Sequence, residues 1–197
     1  MPFTTMDSGA PAGFATDDFL LRPIRAADAE LDYAAVMESR DYLLGWEQTG
    51  WPAEDFTVEA NREDLEKLER WHEDGAGFTY TVMDPAETEC LGCVYLRSTT
   101  ARAYAGARIT PVGDHRWDAY EATVSFWVRR SRLGTPTDTG LLARLRTWLA
   151  RDWSLRGHLF TTSELFTQQV DLIGRTDLRH RFTIEKPDTP GRYLAYE

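Results

Sequence analysis

Residues 120–153 open with Tyr120-Glu-Ala-Thr-Val-Ser-Phe-Trp-Val-Arg129-Arg-Ser-Arg-Leu-Gly134-Thr-Pro-Thr-Asp138 and continue as an amphipathic run to Trp153. The first part predicts a β-strand over Tyr120–Arg129. Thr123, Val124, Phe126, Trp127 and Val128 are β-branched or aromatic, with no glycine or proline among them. The second part predicts a helix over Thr137–Trp153, because Leu141, Leu142, Leu145, Trp148, Leu149 and Trp153 recur at one- and two-turn spacings. The junction has helix-start chemistry: Thr135 as N-cap, Pro136 at the first helical position, and Asp138 three residues past the cap. A strand that feeds a helix N-terminus through a short loop is a place to hold a phosphate. Arg129, Arg130 and Arg132 crowd that loop; solvated arginines in an ordinary β-loop-α unit would look the same.

The sequences on either side bound the class of protein. A chain of 197 residues that is 42% hydrophobic, with 7 Trp, 8 Tyr and 9 Phe, can build one substantial core. Met1 to Thr16 is small, polar and Pro/Gly-containing, and reads as a flexible tail ahead of a single domain, 17–197. That tail has no basic region or apolar block of a secretory signal, and no run of about 18 apolar residues follows it. The expectation is a cytoplasmic protein with no membrane partner. Net charge is −10, divided as −12 over residues 1–74 and +2 over the remainder. Such a balance does not suggest a nucleic-acid partner. The acidic half suits a cationic substrate such as an amine, or simply solvates helix faces. Cys90 and Cys93 form a C-x-x-C in a segment that reads as a strand. Strand side chains alternate faces, so residues three apart should diverge, and no metal site is expected.

Taken in order, Phe19–Ile24 predicts a strand, with Pro23 marking an edge. Residues 28–39 predict a helix with Leu31, Ala35 and Val36 inward. Residues 42–52 predict a loop with a short helical turn. Thr57 caps a helix over 58–73 with the stripe Val58, Leu65, Leu68 and Trp71. The runs 78–83 and 90–96 form a hairpin around Asp84-Pro-Ala-Glu-Thr. Ser98 to Asp118 is a long excursion in which only Ala107–Thr110 suggests a strand. His158–Thr162, a helix over 164–173 capped by Ser163, and a closing hairpin of 179–185 with 192–196 complete an α/β domain with a mixed, mostly antiparallel sheet.

This order, from Phe19 onward, resembles the GNAT-fold N-acyltransferases. Four stretches are similar to a bacterial subgroup of GNAT acetyltransferases: Gly50-Trp-Pro-Ala-Glu-Asp-Phe-Thr-Val-Glu-Ala-Asn-Arg-Glu-Asp-Leu65, Phe78-Thr-Tyr-Thr-Val-Met-Asp-Pro85, Leu91-Gly-Cys-Val-Tyr-Leu96 and Ser125-Phe-Trp-Val-Arg129. The resemblance implies that the strand at 120–129 splays from the strand at 158–162 and that acetyl-CoA lies in the gap. Its pantetheine would pair with backbone at Phe126, Trp127 and Val128, and its pyrophosphate would meet the loop carrying Arg129, Arg130, Arg132 and Gly134. The family's loop reads Arg/Gln-x-x-Gly-x-Gly/Ala. Here the aligned residues are Ser131-Arg-Leu-Gly-Thr-Pro136, so a proline removes an N–H donor and Asp138 adds a negative charge. The family's late acid tyrosine has no clear counterpart, and Phe166 lies near its place.

For acyl transfer to an amine, Glu121 is the candidate base and Tyr120 the candidate acid, with Tyr95 a second acid; His115 is placed to approach a substrate. Glu121 equally suits an exposed strand position or an ion pair, and His158 reads as packed or exposed structure. Three readings stay open: an acyl-CoA-dependent N-acyltransferase acting on a small-molecule or protein amine, a GNAT-fold binding or regulatory module without acetyl-CoA turnover, and an unrelated α/β interaction domain. A homodimer is also left open.

Overall fold

The computed structural model describes residues 9–197; the first part of the expected tail, residues 1–8, lies outside it. The chain runs β1 (Phe14–Ala15), β2 (Leu20–Pro23), α1 (Ala29–Glu38), α2 (Arg40–Glu47), α3 (Val58–Glu73), β3 (Phe78–Met83), β4 (Cys90–Ser98), β5 (Arg108–Pro111), β6 (Ala122–Val128), α4 (Pro136–Asp152), β7 (His158–Ser163), α5 (Thr167–Gly174), β8 (His180–Glu185) and β9 (Tyr193–Tyr196). The strands form a mixed, nine-stranded sheet in the order β1-β2-β3-β4-β6-β7-β9-β8-β5. Only β6 and β7 pair in parallel among the described strands. That pair needs a crossover, and α4 supplies it.

Strand alternation on β6 sorts the core into two layers. Val124, Phe126 and Val128 pack with Leu141, Leu145, Trp148 and Leu149 of α4. Trp127 faces the other way, against Ala35 and Val36 of α1 and Leu43 and Trp46 of α2. The inward stripe expected for α4 is buried. Its helix start differs from expectation. Thr135 occupies the N-cap but donates its hydroxyl to Arg132 O, and Asp138 accepts from Gly134 N–H instead.

Three elements exceed the sequence reading. Phe14 and Ala15, expected in the tail, pair with Leu21 and Leu20, so β2 is not the outermost strand. Their pairing stops short of Pro23, which keeps that residue where its missing N–H costs nothing. Residues 42–52 were expected as a loop with a short helical turn; instead Arg40–Glu47 forms a two-turn helix that buries Leu43 and Trp46. The excursion over 98–118 returns through β5 to pair with β8 at the far edge. It is tied down by Tyr104, donating to Thr123 Oγ1 at 2.7 Å, and by Trp117, donating to Thr99 O at 3.1 Å. Trp71, placed on the inward stripe of α3 by spacing, is 37% exposed.

The C-x-x-C corrects the alternation argument. Cys90 opposes Met83 and Gly92 opposes Val82, so Leu91 is an extra residue on β4. One inserted residue converts a separation of three into an effective two, and Cys90 and Cys93 then share a face. Gly92 makes this bulge possible. Its φ is +151°, and a Cβ there would lie 2.1 Å from Trp127 O on the neighbouring strand. Gly92→Ala is expected to cost about 3 kcal/mol or more, because neither backbone can retreat. Chemical denaturation checks this, and an unchanged midpoint would show that the two strands are less tightly joined.

Candidate functional site

The parallel pairing of β6 with β7 covers Ala122 with His158, Thr123 with Leu159 and Val124 with Phe160, and ends there. Beyond Val124 the strands part. Arg129 N–H donates to Leu91 O. Stepping back in twos, Trp127 and Ser125 turn their amides toward β4, while Phe126 and Val128 turn theirs into the gap. Two side chains reach into that gap from elsewhere. Gln169, buried on α5, donates to Phe126 O at 2.9 Å, and Tyr42 of α2 donates to Val128 O. Phe166 stacks on Tyr42 with centroids 4.8 Å apart.

The loop after β6 begins with a 3-10 turn, Arg130–Arg132, and reaches Gly134 at φ +74°. All three arginines have acidic partners. Arg129 pairs with Glu38 at 2.5 Å and Glu89 at 3.2 Å, Arg130 with Asp41 at 2.6 Å, and Arg132 with Glu89. The Arg129 guanidinium holds the Glu38 carboxyl down at about 2. Exposure separates the three: the Arg129 side chain is 16% exposed, against 54% for Arg130 and 40% for Arg132. Exposed pairs are weak and exchange readily, so only Arg130 and Arg132 are free to turn to an anion. At the start of α4, the buried Asp138 carboxylate accepts from Gly134 N–H at 2.8 Å and from Gln168 Nε2 at 2.5 Å. The helix end that would receive a phosphate therefore carries its own anion, whose pKa burial raises.

Below the gap lies a cavity of about 290 Å³. Thr161, Thr162 and Ser163 of β7 all line it. Consecutive residues point to opposite faces, so a space touching all three reaches the free edge of the strand. Its walls are aromatic: Trp46, Trp51, Trp71, Tyr95, Tyr104 and Tyr193. Three carboxylates line it: Asp32 is buried, Glu47 at the end of α2 is half-buried, and Asp64 is exposed. Burial pushes the Glu47 carboxyl up, and Lys186 and Arg97 pull it partly back. Lys186 Nζ sits 4.3 Å from the centroid of Tyr193, and burial lowers its pKa. The Arg97 guanidinium lies between the rings of Trp71 and Tyr95, at 5.4 and 5.5 Å.

No family model matches the sequence, and no curated protein matches it. Solved structures do match the shape. Ribosomal-protein-S5-alanine acetyltransferase from Vibrio fischeri aligns at 15% identity over 94% of this chain and 95% of its own, with a TM-score of 0.69. RimJ of Mycobacterium smegmatis, solved with a CoA disulfide, aligns at 17% identity over 90% and 80%, with a TM-score of 0.66. Microcin C7 self-immunity acetyltransferase MccE, solved with acetyl-CoA and AMP, aligns at 12% identity over 96% and 97%, with a TM-score of 0.69. This is the GNAT fold. Among the described residues, no helix is long and apolar enough to cross a membrane.

Within the GNAT fold, the residues singled out from sequence fall in different places. Phe126, Val128, Arg129, Arg130, Arg132 and Gly134 flank the gap and its mouth, whereas the Trp127 backbone pairs with β4. Tyr120 and Glu121 precede β6 rather than lying on it, and neither lines the cavity. Tyr120 donates to Glu197 at 3.0 Å, and Glu121 accepts from Arg156 N–H at 2.7 Å. Tyr95 does line the cavity, but its hydroxyl is buried and accepts from Trp127 Nε1. Burial pushes its pKa well up. His115 packs edge-on to Phe182 in the far half of the sheet. Sequence reasoning missed Glu47, Lys186, Gln169 and Tyr42. Glu47 had one legible signal: it lies inside residues 42–52, among the aromatics Tyr42, Trp46 and Trp51.

Proposed function

We propose that the protein is an acyl-CoA-dependent N-acyltransferase, with acetyl-CoA as donor and the amine of a small molecule or a protein as acceptor. The observation that carries this reading is the parting of β6 and β7 above an aromatic cavity into which the half-buried Glu47 carboxylate is placed. The gap suits the pantetheine, with Phe126 and Val128 offering backbone amides along it. The phosphate end fits less well: Asp138 occupies the helix N-terminus, so Arg130 and Arg132 would hold the pyrophosphate through side chains. When bound, coenzyme A supplies the thioester. The chain's own residues do the rest. The aromatic walls exclude water and hold the amine, and Glu47 accepts the amine proton through its carboxylate. A carboxyl raised by burial yet steadied by Lys186 and Arg97 is suited to that task. The solved acetyltransferases of this fold, two of them with CoA or acetyl-CoA bound, support the donor assignment.

A second reading has its own observation. Gln169 and Tyr42 already satisfy the Phe126 and Val128 carbonyls, and Asp138 already satisfies Gly134 N–H. A GNAT-fold module without acetyl-CoA turnover would look like this. Calorimetry with coenzyme A separates the two. The acyltransferase reading expects binding that weakens about tenfold or more when Arg130 and Arg132 are both changed to Ala, and weakens with salt. Asp138→Asn is expected to tighten it, since a negative charge leaves the anion site. No binding at millimolar coenzyme A would leave the non-catalytic module as the better account.

A further inference from the structure

We propose that Asp32, Cys90 and Cys93 form a binding site for a zinc-type divalent ion, open to the cavity at its fourth position. The three side chains come from α1 and from both ends of the β4 bulge. One ligand atom from each lies within 4.8 Å of the others. Asp32 Oδ1 is 3.4 Å from Cys93 Sγ and 3.7 Å from Cys90 Sγ. A tetrahedral ion with zinc–sulfur and zinc–oxygen bonds of about 2.3 and 2.0 Å needs sulfur–oxygen separations of about 3.5 Å. The observed spacing meets that requirement without movement of the backbone.

The surroundings complete a metal site in two respects. Asn61 Nδ2 donates to the other carboxylate oxygen, Asp32 Oδ2, at 3.0 Å and to Ala29 O at 3.0 Å, which fixes the carboxylate plane. Asp32, Asn61 and Cys93 also line the 290 Å³ cavity, which supplies an entry path and a place for a water as fourth ligand. Two thiols and one carboxylate are a donor set of the right softness for zinc or cobalt(II), and a poor one for magnesium or calcium. Binding would release both thiol protons, and the carboxyl proton where it is carried, so affinity rises with pH. This proposal does not depend on the acyltransferase reading.

The test uses the full chain, purified under reducing conditions and freed of metal, titrated with cobalt(II) alone. One equivalent is expected to bind, with a thiolate-to-cobalt charge-transfer band and the visible absorption of a tetrahedral site, and zinc should displace it. Asp32→Asn keeps the shape and the Asn61 neighbour while removing a ligand charge; Asn61→Ala releases the carboxylate. Each is expected to weaken cobalt binding about tenfold or more. Cys90→Ala with Cys93→Ala should abolish the charge-transfer band, with circular dichroism confirming the fold; should that variant not fold, the two single variants still decide. A reduced wild type that shows no band, or binding left unchanged in Asp32→Asn, would overturn the proposal and leave a neutral, hydrogen-bonded trio. Thiols recovered as a Cys90–Cys93 disulfide that binds no cobalt would overturn it in favour of a redox pair.

Discussion

Replacing Glu47 with Gln is expected to lower kcat/KM for amine acylation about 100-fold or more, the usual effect of losing a positioned general base. That is about 2.7 kcal/mol of transition-state stabilisation. The substitution keeps the volume and the cavity wall, and the backbone carbonyl of residue 47 still accepts from Tyr193 Oη. The loss should therefore fall on kcat rather than on folding. The pH profile supplies the sharper readout. Burial raises the Glu47 pKa, so wild-type kcat/KM should climb with pH through a limb lying above the ordinary carboxylate range. In the Gln variant that limb should vanish. Stability has the opposite sign. A carboxyl raised in the folded state binds more protons there than in the unfolded chain. Its contribution is complete below the unfolded pKa and is lost as pH rises through the folded one. Wild type should therefore lose melting temperature relative to the Gln variant as pH climbs through that window. An unchanged rate and an unchanged limb would remove Glu47 from the chemistry.

What could be read from the sequence was what local periodicity controls. β6, α4 and the hairpin of β3 with β4 each carry a complete pattern, and α3 carries its own N-cap, with Thr57 accepting from Ala60 N–H. The elements that were missed, or suggested only weakly as β5 was by Ala107–Thr110, owe their existence to distant partners. β5 is four residues whose reason to be extended is β8, some seventy positions later. β1 is two residues that answer Leu20 and Leu21. The bulge at Leu91 is invisible to any period-two argument, since the argument assumes its absence. Reading Cys90 and Cys93 as diverging was correct for a regular strand and fails for this one.

The candidate site was legible in its frame but not in its contents. The gap follows from the strand–loop–helix unit, and that unit is written in residues 120–153. The side chains that fill the gap come from α2 and α5, and nothing in Tyr42 or Gln169 announces a carbonyl some 86 or 43 positions away. The arginine loop shows the same limit. Charge clustering in sequence marks a basic site, yet Glu38 of α1, Asp41 of α2 and Glu89 of the turn before β4 converge on it and neutralise it.

Trp148→Ala is expected to destabilise the protein by about 3–5 kcal/mol, the largest stability effect foreseen for a single core position. Trp148 is 2% exposed and sits where α4 meets the sheet. Its ring packs against Tyr80 with centroids 5.0 Å apart, Trp153 at 5.5 Å and Phe14 at 5.7 Å, in edge-on or tilted arrangements that aromatic quadrupoles favour. Truncation to Ala would lose those contacts and leave a cavity that three rigid rings cannot collapse to fill. For a chain of this length the melting temperature should fall by about 10 °C. Trp148→Phe separates packing from polarity. The buried indole N–H finds no acceptor among the described residues, so it contributes no hydrogen bond and carries a desolvation cost. Phenylalanine removes that cost while keeping a ring against Tyr80, and its destabilisation should be well below that of Ala. Equal losses in the two variants would mean that the indole N–H has a partner in solution, such as a buried water, and that α4 is held to the sheet by a polar contact as well as by its aromatic cluster.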